Sequence, residues 1–162
     1  MAIKIGQKAP LFTLKDTEKK DVSLESFRKR NVVLLFFPLA FTGTCTTELC
    51  TMRDDLTSYN DLNAQILAVS IDSLFCLGKF KETLKLNFPV LSDFNKEVSA
   101  AYGAQYVEFV LGMKGVAKRA AFVIDGEGMV RYAEVLEDAG KLPNFEEVKK
   151  ALHCLSPQVP HQ

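Results

Sequence analysis

Residues 36–50 have the sequence FFPLAFTGTCTTELC, in which an apolar strand leads through a short Pro, Gly and Thr loop into a helix. The loop brings Cys45 to the start of that helix. Backbone N–H groups have no helical partner there, and the helix dipole has its positive end. Both effects favour the thiolate over the thiol, and the thiolate is the nucleophilic form of cysteine. The stretch therefore predicts cysteine redox chemistry centred on Cys45.

The composition describes one folded domain with no preference for polyanions. The chain has 162 residues, of which 48% are hydrophobic and 25% charged, a balance typical of soluble globular proteins. This length suits a single domain, which we expect to span residues 1–162. Because 20 basic and 20 acidic residues cancel, we expect neither nucleic acid nor a membrane surface as a partner.

The N-terminus has no apolar core or cleavage site of a signal peptide, so we expect a cytoplasmic protein. Four cysteines are too few for a disulfide scaffold, and no C-x-x-C pair occurs. The only histidines, His153 and His161, lie near the C-terminus. The sequence therefore predicts neither a metal site nor a bound cofactor.

The order of apolar segments predicts a thioredoxin-like α/β fold: a central mixed sheet flanked by helices, with an N-terminal hairpin extension. A βαβ half precedes a ββα half, and parallel strands joined through helices require right-handed crossovers. Residues 88–91 are ambiguous between strand and loop. The predicted elements are a hairpin at 11–14 and 22–23, strands at 32–37 and 65–71, helices from Cys45 to Tyr59 and over 73–86, a hairpin at 120–124 and 129–135, and a last helix from 143 or 144.

The other cysteines raise the question of a second redox-active thiol. Cys50 follows Cys45 by five residues, which on a helix corresponds to ~140° of rotation and ~7.5 Å of rise. Since a disulfide needs Cα atoms about 4.4–6.8 Å apart, the helix would have to unwind to join them. Cys76 follows the next predicted strand, so parallel pairing would bring it to the same sheet edge as Cys45. We interpret Cys154, beside two leucines, as a packing residue.

The pattern Pro38-x-x-x-Thr42-x-x-Cys45 resembles the active-site signature of the peroxiredoxins. The segment FFPLAFTG at 36–43 is most similar to the AhpE type. A second cysteine five residues after Cys45 is more similar to the bacterioferritin comigratory protein (PrxQ) type. Further segments resemble the same family in the same order, namely VSIDS at 69–73, FPVLSD at 88–93, AYG at 101–103 and RAAFVID at 119–125.

The resemblance implies a thiol-dependent peroxidase that reduces hydrogen peroxide and small organic hydroperoxides through a sulfenic acid on Cys45. Thr42 would contact the peroxide, and Pro38 would shield the sulfur from water. By matching position, Arg119 would hold the thiolate and Glu48 would orient Arg119. The residues alone allow other roles: Arg119 could pair at a strand edge on the surface, and Glu48 could simply sit favourably in the first helical turn.

The resemblance also implies regeneration by thioredoxin or a low-molecular-weight thiol, with no metal or prosthetic group, and it allows a homodimer. For the thiol that resolves the sulfenic acid, we place Cys50 first, an external thiol second and Cys76 third. Two other functions suit the same fold. One is a thiol–disulfide oxidoreductase, which the spacing of Cys45 and Cys50 disfavours. The other is a redox sensor or holdase that reports its oxidation to a protein partner.

Overall fold

The computed structural model describes residues 3–155, so the N-terminal pair and the stretch 156–162, which contains His161, lie outside it. Seven strands form one sheet: β1 Thr13–Asp16, β2 Asp21–Ser23, β3 Asn31–Phe36, β4 Ala64–Ser70, β5 Val90–Ser92, β6 Arg119–Ile124 and β7 Val130–Leu136. The helices are α1 Gly43–Asp54, α2 Leu56–Asp61, α3 Leu74–Leu84, α4 Glu97–Ala101 and α5 Phe145–Leu155. Short 3-10 turns span Leu24–Phe27 and Val110–Gly112.

The sheet is mixed, with the strand order β2-β1-β5-β4-β3-β6-β7. Strand β3 pairs in parallel with β4, which pairs in parallel with β5, and all other neighbours are antiparallel. All six residues of β3 are buried, because both faces of this central strand are covered. The predicted thioredoxin-like α/β fold is confirmed, including the N-terminal hairpin β1–β2.

Helices cover the two faces of the sheet unequally. Apolar side chains of α1, α3 and α5 pack with β3 and β4 in one core cluster, which contains Cys45, Leu77 and Val148. The opposite face is covered by the N-terminal segment and by α4 with its flanking residues, including Phe12 and Tyr102. Right-handed crossovers place α1 and α3 side by side on the first face. The loops that enter these two helices therefore meet at the carboxyl ends of β3 and β4.

Several elements differ from the sequence prediction: the first hairpin strand, expected at 11–14, is Thr13–Asp16, and the helix Glu97–Ala101 lies outside every predicted element. The helix expected to run from Cys45 to Tyr59 is interrupted at Asp55, which separates α1 from α2. The Asp55 carboxylate accepts a hydrogen bond from Ser58 and pairs with Lys149 of α5, contacts that no helical periodicity reveals. The ambiguous segment becomes the short strand β5. Between residues 3 and 155, no helix has both the length and the apolarity to cross a membrane.

Candidate active site

The loop between β3 and α1 has a tightly defined shape. Its first residue, Phe37, donates its backbone N–H to the carbonyl of Val69 on β4, and Pro38 is buried. Phe41 adopts the left-handed conformation at φ 66°, which is uncommon for a residue other than glycine. Thr42 is extended and caps the helix through its carbonyl, which accepts the N–H of Thr46. Its hydroxyl donates a 2.7 Å hydrogen bond back to the carbonyl of Leu39.

Cys45 is the third residue of α1 and is 1% exposed. This position places it within the first turn, where backbone N–H groups lack helical acceptors and the dipole is positive. The side chain belongs to the core cluster on the α1 side of the sheet. The sequence prediction of a cysteine at a helix N-terminus is therefore correct. The helix contributes part of the positive electrostatic potential at the sulfur.

Arg119 supplies the only full positive charge that contacts this sulfur in the described chain. It is the first residue of β6, and because Ala120 pairs with Phe36, it lies beside the end of β3. Its Nη2 donates to Cys45 Sγ over 3.2 Å, and its Nη1 donates to Glu48 Oε1 over 2.6 Å. Nε and Nη2 both donate to the carbonyl of Ala139, over 3.2 and 2.8 Å.

The guanidinium is thus fixed on three sides while being only 1% exposed. Burial opposes its charge, but the interactions with the Glu48 carboxyl and the Cys45 sulfur outweigh this effect and raise the pKa of Arg119. The expectation that Arg119 needs a charged partner is met by a buried carboxyl. The alternative of a surface ion pair at the strand edge is wrong.

Glu48 is fully buried and lies one helical turn after Cys45. Only its Oε1 is bound, since Oε2 has no hydrogen-bond partner among the described residues. Burial raises the pKa of the Glu48 carboxyl to about 7, although Arg119 acts in the opposite direction. Glu48 is the sixth residue of α1, outside its first turn, so the interpretation as a favourable first-turn charge is wrong.

A pocket of about 380 Å³ opens over Cys45, and its lining brings together Pro38, Thr42, Cys45 and Arg119. Sequence reasoning missed its second wall, which consists of Phe109, Val110, Leu111, Met113, Ala139 and Gly140. The apolar run FVLGM at 109–113 lies outside every predicted element and was the one available signal. No sequence signal identified the Ala139 carbonyl as the acceptor for Arg119.

The remaining cysteines lie apart from this arrangement, and all four thiols are free. Cys50 is half-buried on α1, which is helical without interruption from Gly43 to Asp54, so the structure holds it away from Cys45. Cys76 is the third residue of α3, and its N–H donates to the Ser73 side chain over 3.2 Å. Burial and the nearby Asp72 carboxylate raise the pKa of the Cys76 thiol. Cys154 is exposed, so its interpretation as a packing residue is wrong.

Acidic, cysteine and histidine side chains do not gather around a common point in residues 3–155 in the way a metal ion requires. The groups available to this site are a buried thiol with a guanidinium, a hydroxyl and the N–H groups of a helix N-terminus near it. Such donors stabilise negative charge that develops on an oxygen atom bound next to the sulfur.

Known proteins are similar to this chain in sequence and in fold. The model of the AhpC/TSA family matches residues 5–133. Alkyl hydroperoxide reductase E of Mycobacterium tuberculosis is 38% identical over 136 residues, covering 82% of this chain and 86% of that protein. The chloroplastic 2-cysteine peroxiredoxin of Chattonella marina var. antiqua is 37% identical over 146 residues, covering 83% and 72%. The crystal structure of peroxidoxin BcpB from Mycobacterium tuberculosis matches with a TM-score of 0.81 and 29% identity, covering 98% and 99%.

Proposed function

Because this chain belongs to the AhpC/TSA family and its relatives are peroxiredoxins, it is a thiol-dependent peroxidase, and we propose that Cys45 is its nucleophile. The resemblance stated from the sequence and the predicted oxidoreductase activity are confirmed. One observation carries the assignment to Cys45. Its sulfur lies at a helix N-terminus, 3.2 Å from the buried Arg119 guanidinium and at the base of the pocket.

The proposed reaction is a two-electron oxidation of the Cys45 thiolate. The sulfur attacks one oxygen of the hydroperoxide, so an S–O bond forms while the O–O bond breaks. Cys45 becomes a sulfenic acid, and the leaving hydroxide or alkoxide takes up a proton to become water or an alcohol. Arg119 contacts the sulfur and stabilises the charge that develops on the leaving oxygen.

Thr42 and Pro38 shape the peroxide site in this proposal. Thr42 lines the pocket, and because its hydroxyl donates to the Leu39 carbonyl, its oxygen can serve the peroxide only as an acceptor. An accepting oxygen beside the sulfur would take the O–H of the peroxide and direct the other oxygen towards Cys45. Pro38 has no N–H and presents an apolar surface, which keeps water away from the sulfur.

Glu48 has two proposed roles, of which orienting Arg119 is the first. The second follows from charge balance, because this buried cluster contains two potential anions, Cys45 and Glu48, and one cation. We infer that Glu48 holds a proton in the reduced enzyme when Cys45 attacks as a thiolate, since two buried anions would exceed the charge of Arg119. Once Cys45 is a neutral sulfenic acid, Glu48 can release this proton and pair with Arg119.

A thiol must then reduce the sulfenic acid. We propose Cys50 as the resolving residue, because the same helix carries it and its side chain is half-buried rather than sealed in the core. The Cys50 thiolate would attack the Cys45 sulfur and release water, which requires α1 to unwind between the two residues. An external thiol is the second candidate and Cys76 the third, since the raised pKa of Cys76 leaves little thiolate for attack.

Peroxiredoxins act on hydroperoxides with the help of thiol reductants. For this chain we propose hydrogen peroxide and small organic hydroperoxides as substrates, with thioredoxin or a low-molecular-weight thiol as the electron donor. A homodimer in the cytoplasm and a single domain over the whole chain stay predictions. The alternatives of a redox sensor or a thiol–disulfide oxidoreductase have no support in the geometry beyond the shared fold.

The test is peroxide consumption with dithiothreitol as the electron donor, which makes the assay independent of the natural reductant. We expect Cys45→Ser to lose turnover completely. The matched control Cys154→Ser changes an exposed thiol and is expected to keep the activity of the unmodified enzyme. Appreciable peroxidase turnover by Cys45→Ser would remove Cys45 from the proposed role.

A further inference from the structure

The loop that binds the peroxide is tied to the neighbouring strand by a carboxylate. Asp72 lies two residues after β4, and its Oδ2 accepts the backbone N–H of Ala40 over 2.8 Å. The same oxygen accepts the Ser70 hydroxyl over 2.7 Å, and Ser70 Oγ in turn accepts the N–H of Asp72 over 3.1 Å. Ser92 of β5 donates to the Asp72 carbonyl over 2.6 Å. Asp72 is therefore fixed by β4 and β5 and reaches across to the loop after β3.

The contact between Asp72 and Ala40 lies next to the strained residue of the loop. Ala40 directly precedes Phe41, whose left-handed conformation is unfavourable for a residue with a side chain. Thr42, which caps α1 and faces the pocket, follows immediately. Phe41 is 53% exposed, so its own burial stabilises the turn only weakly. Its ring contacts Phe80 of α3 at a centroid distance of 5.0 Å.

Pro38 is buried and Ala40 packs against the core, so apolar contacts hold part of the loop, but few described hydrogen bonds tie it to other elements. The Thr42 hydroxyl bond to Leu39 lies within the loop itself and does not tie it to the sheet. The bond from Phe37 to Val69 holds only its beginning. The middle of the loop contacts two residues outside it: Ala40 donates to Asp72, which follows β4, and Phe41 packs on Phe80 of α3. A loop with a strained residue keeps its shape only when such outside contacts determine it.

We propose that Asp72 is a positioning residue of the peroxidase, whose carboxylate accepts the Ala40 N–H and so keeps Thr42 in the place where it receives the hydroperoxide. This inference rests on the proposed function, because it concerns the loop beside Cys45. We expect Asp72 to affect the reaction with peroxide. We do not expect it to affect the intrinsic nucleophilicity of Cys45, which depends on Arg119 and the helix.

The substitutions Asp72→Ala and Asp72→Asn separate the acceptor from the charge. Alanine removes both, whereas asparagine keeps an oxygen that can accept the Ala40 N–H. We expect the rate constant for the reaction with hydrogen peroxide to fall about tenfold or more in Asp72→Ala, the size expected of a displaced catalytic group. We expect Asp72→Asn to recover most of that rate. Asp61→Ala, which changes an exposed residue at the end of α2, serves as the matched control.

Alkylation by iodoacetamide supplies the readouts that a general structural defect would not reproduce. Iodoacetamide reaches Cys45 through the same pocket, but its displacement reaction needs no hydrogen bond to the Thr42 hydroxyl, so Cys45 should react at close to the normal rate in both variants. Cys76 should react faster in both, since each loses the negative charge that disfavours its thiolate. Faster Cys76 alkylation therefore reports the lost charge, and slower peroxide reaction reports the lost acceptor.

Three results would overturn the inference: an unchanged peroxide rate in Asp72→Ala, an Asp72→Asn variant as slow as Asp72→Ala, or an equal loss of peroxide reaction and Cys45 alkylation. The last would mean general disruption of the fold. Failure of the proposed function is distinguishable, because it would appear as peroxidase turnover in Cys45→Ser, whatever Asp72 does.

Discussion

Cys45 and Cys76 occupy the same backbone position in neighbouring units of the fold. Each is the third residue of a helix that follows one of two parallel strands, and both helices lie on the same face of the sheet. Their charged neighbours differ. Arg119 contacts the sulfur of Cys45, whereas the Asp72 carboxylate and partial burial raise the pKa of Cys76. The two cysteines thus share a helix N-terminus but differ in the charge beside the sulfur, and we propose that this charge decides which of them reacts.

The local sequence cannot distinguish these sites, because the charge beside Cys45 comes from a residue far away in the chain. Asp72 lies four residues before Cys76, whereas Arg119 comes from β6, which is antiparallel to β3 and far away in the chain. The sheet brings Arg119 to the end of β3, and Glu48 and the Ala139 carbonyl fix it there. The local motif, a cysteine in the first turn of a helix after a parallel strand, occurs twice. At Cys45 it is combined with the tertiary contacts of Arg119.

The largest expected effect comes from removing the charge that distinguishes the two cysteines. Arg119→Met should slow the reaction with hydrogen peroxide by about 100-fold to 1,000-fold, as is typical when one donor to a developing oxyanion is lost. Stopped-flow measurement of Cys45 oxidation would determine the rate constant. Arg131→Met, which changes a half-exposed arginine paired with Asp125, is the matched control. A rate constant equal to that of the control would remove Arg119 from the site.

The second prediction concerns Thr42, which lines the pocket over Cys45 and is proposed to bind the peroxide there. We expect Thr42→Val, which keeps the shape but removes the hydroxyl, to lower kcat/KM for hydrogen peroxide by roughly 10-fold to 100-fold. Thr42→Ser should retain most of the activity. If the valine variant were as fast as the serine variant, the hydroxyl would have no role in binding the peroxide.

Glu48 gives the third prediction, which concerns pH. Folding raises the carboxyl pKa from 4.5 to about 7, so the folded protein binds a proton that the unfolded chain releases between these values. The free energy of unfolding should therefore fall as the pH rises through this window, by about 1 to 3 kcal/mol relative to Glu48→Gln. Urea unfolding of both proteins between pH 4 and pH 8 measures the difference.

Other carboxyl groups titrate in both proteins and cancel in that comparison. A difference in unfolding free energy that stays constant over the window would mean that Glu48 remains ionised in the folded protein. The inferred proton on Glu48 in the reduced enzyme would then be wrong.

The smallest effect is expected at Cys76 itself. Cys76→Ser should change the turnover with dithiothreitol by less than about twofold, because a protonated thiol attacks a sulfenic acid slowly. Peptide mapping after one equivalent of peroxide should find a bridge between Cys45 and Cys50 in this variant as in the unmodified protein. A bridge between Cys45 and Cys76 in the unmodified protein would reverse the order proposed for the resolving thiols.

The sequence predicted the features that depend on nearby residues. An unbroken apolar run indicated the central strand β3, and the Pro, Gly and Thr loop indicated Cys45 at a helix N-terminus. Features that depend on distant contacts were harder. Arg119 was identified through family resemblance, and Glu48 lies outside the first turn of α1, where the buried Arg119 donates to it.

Other features had no usable local signal. The wall at 109–113 contains a 3-10 turn in which Leu111 is left-handed, so it follows neither a helical nor a strand period. The bond between Asp72 and Ala40 joins loops that follow different strands, and only the parallel pairing of β3 with β4 brings them together.

The most direct test of the account compares the two cysteines in one experiment. In the Cys50→Ser variant, which lacks the proposed resolving thiol, one equivalent of hydrogen peroxide is added with dimedone, a reagent that traps sulfenic acids. Mass mapping of the peptides then locates the trapped group. We predict dimedone on Cys45 and none on Cys76. Label on Cys76 with none on Cys45 would contradict the claim that Arg119 makes Cys45 the nucleophile.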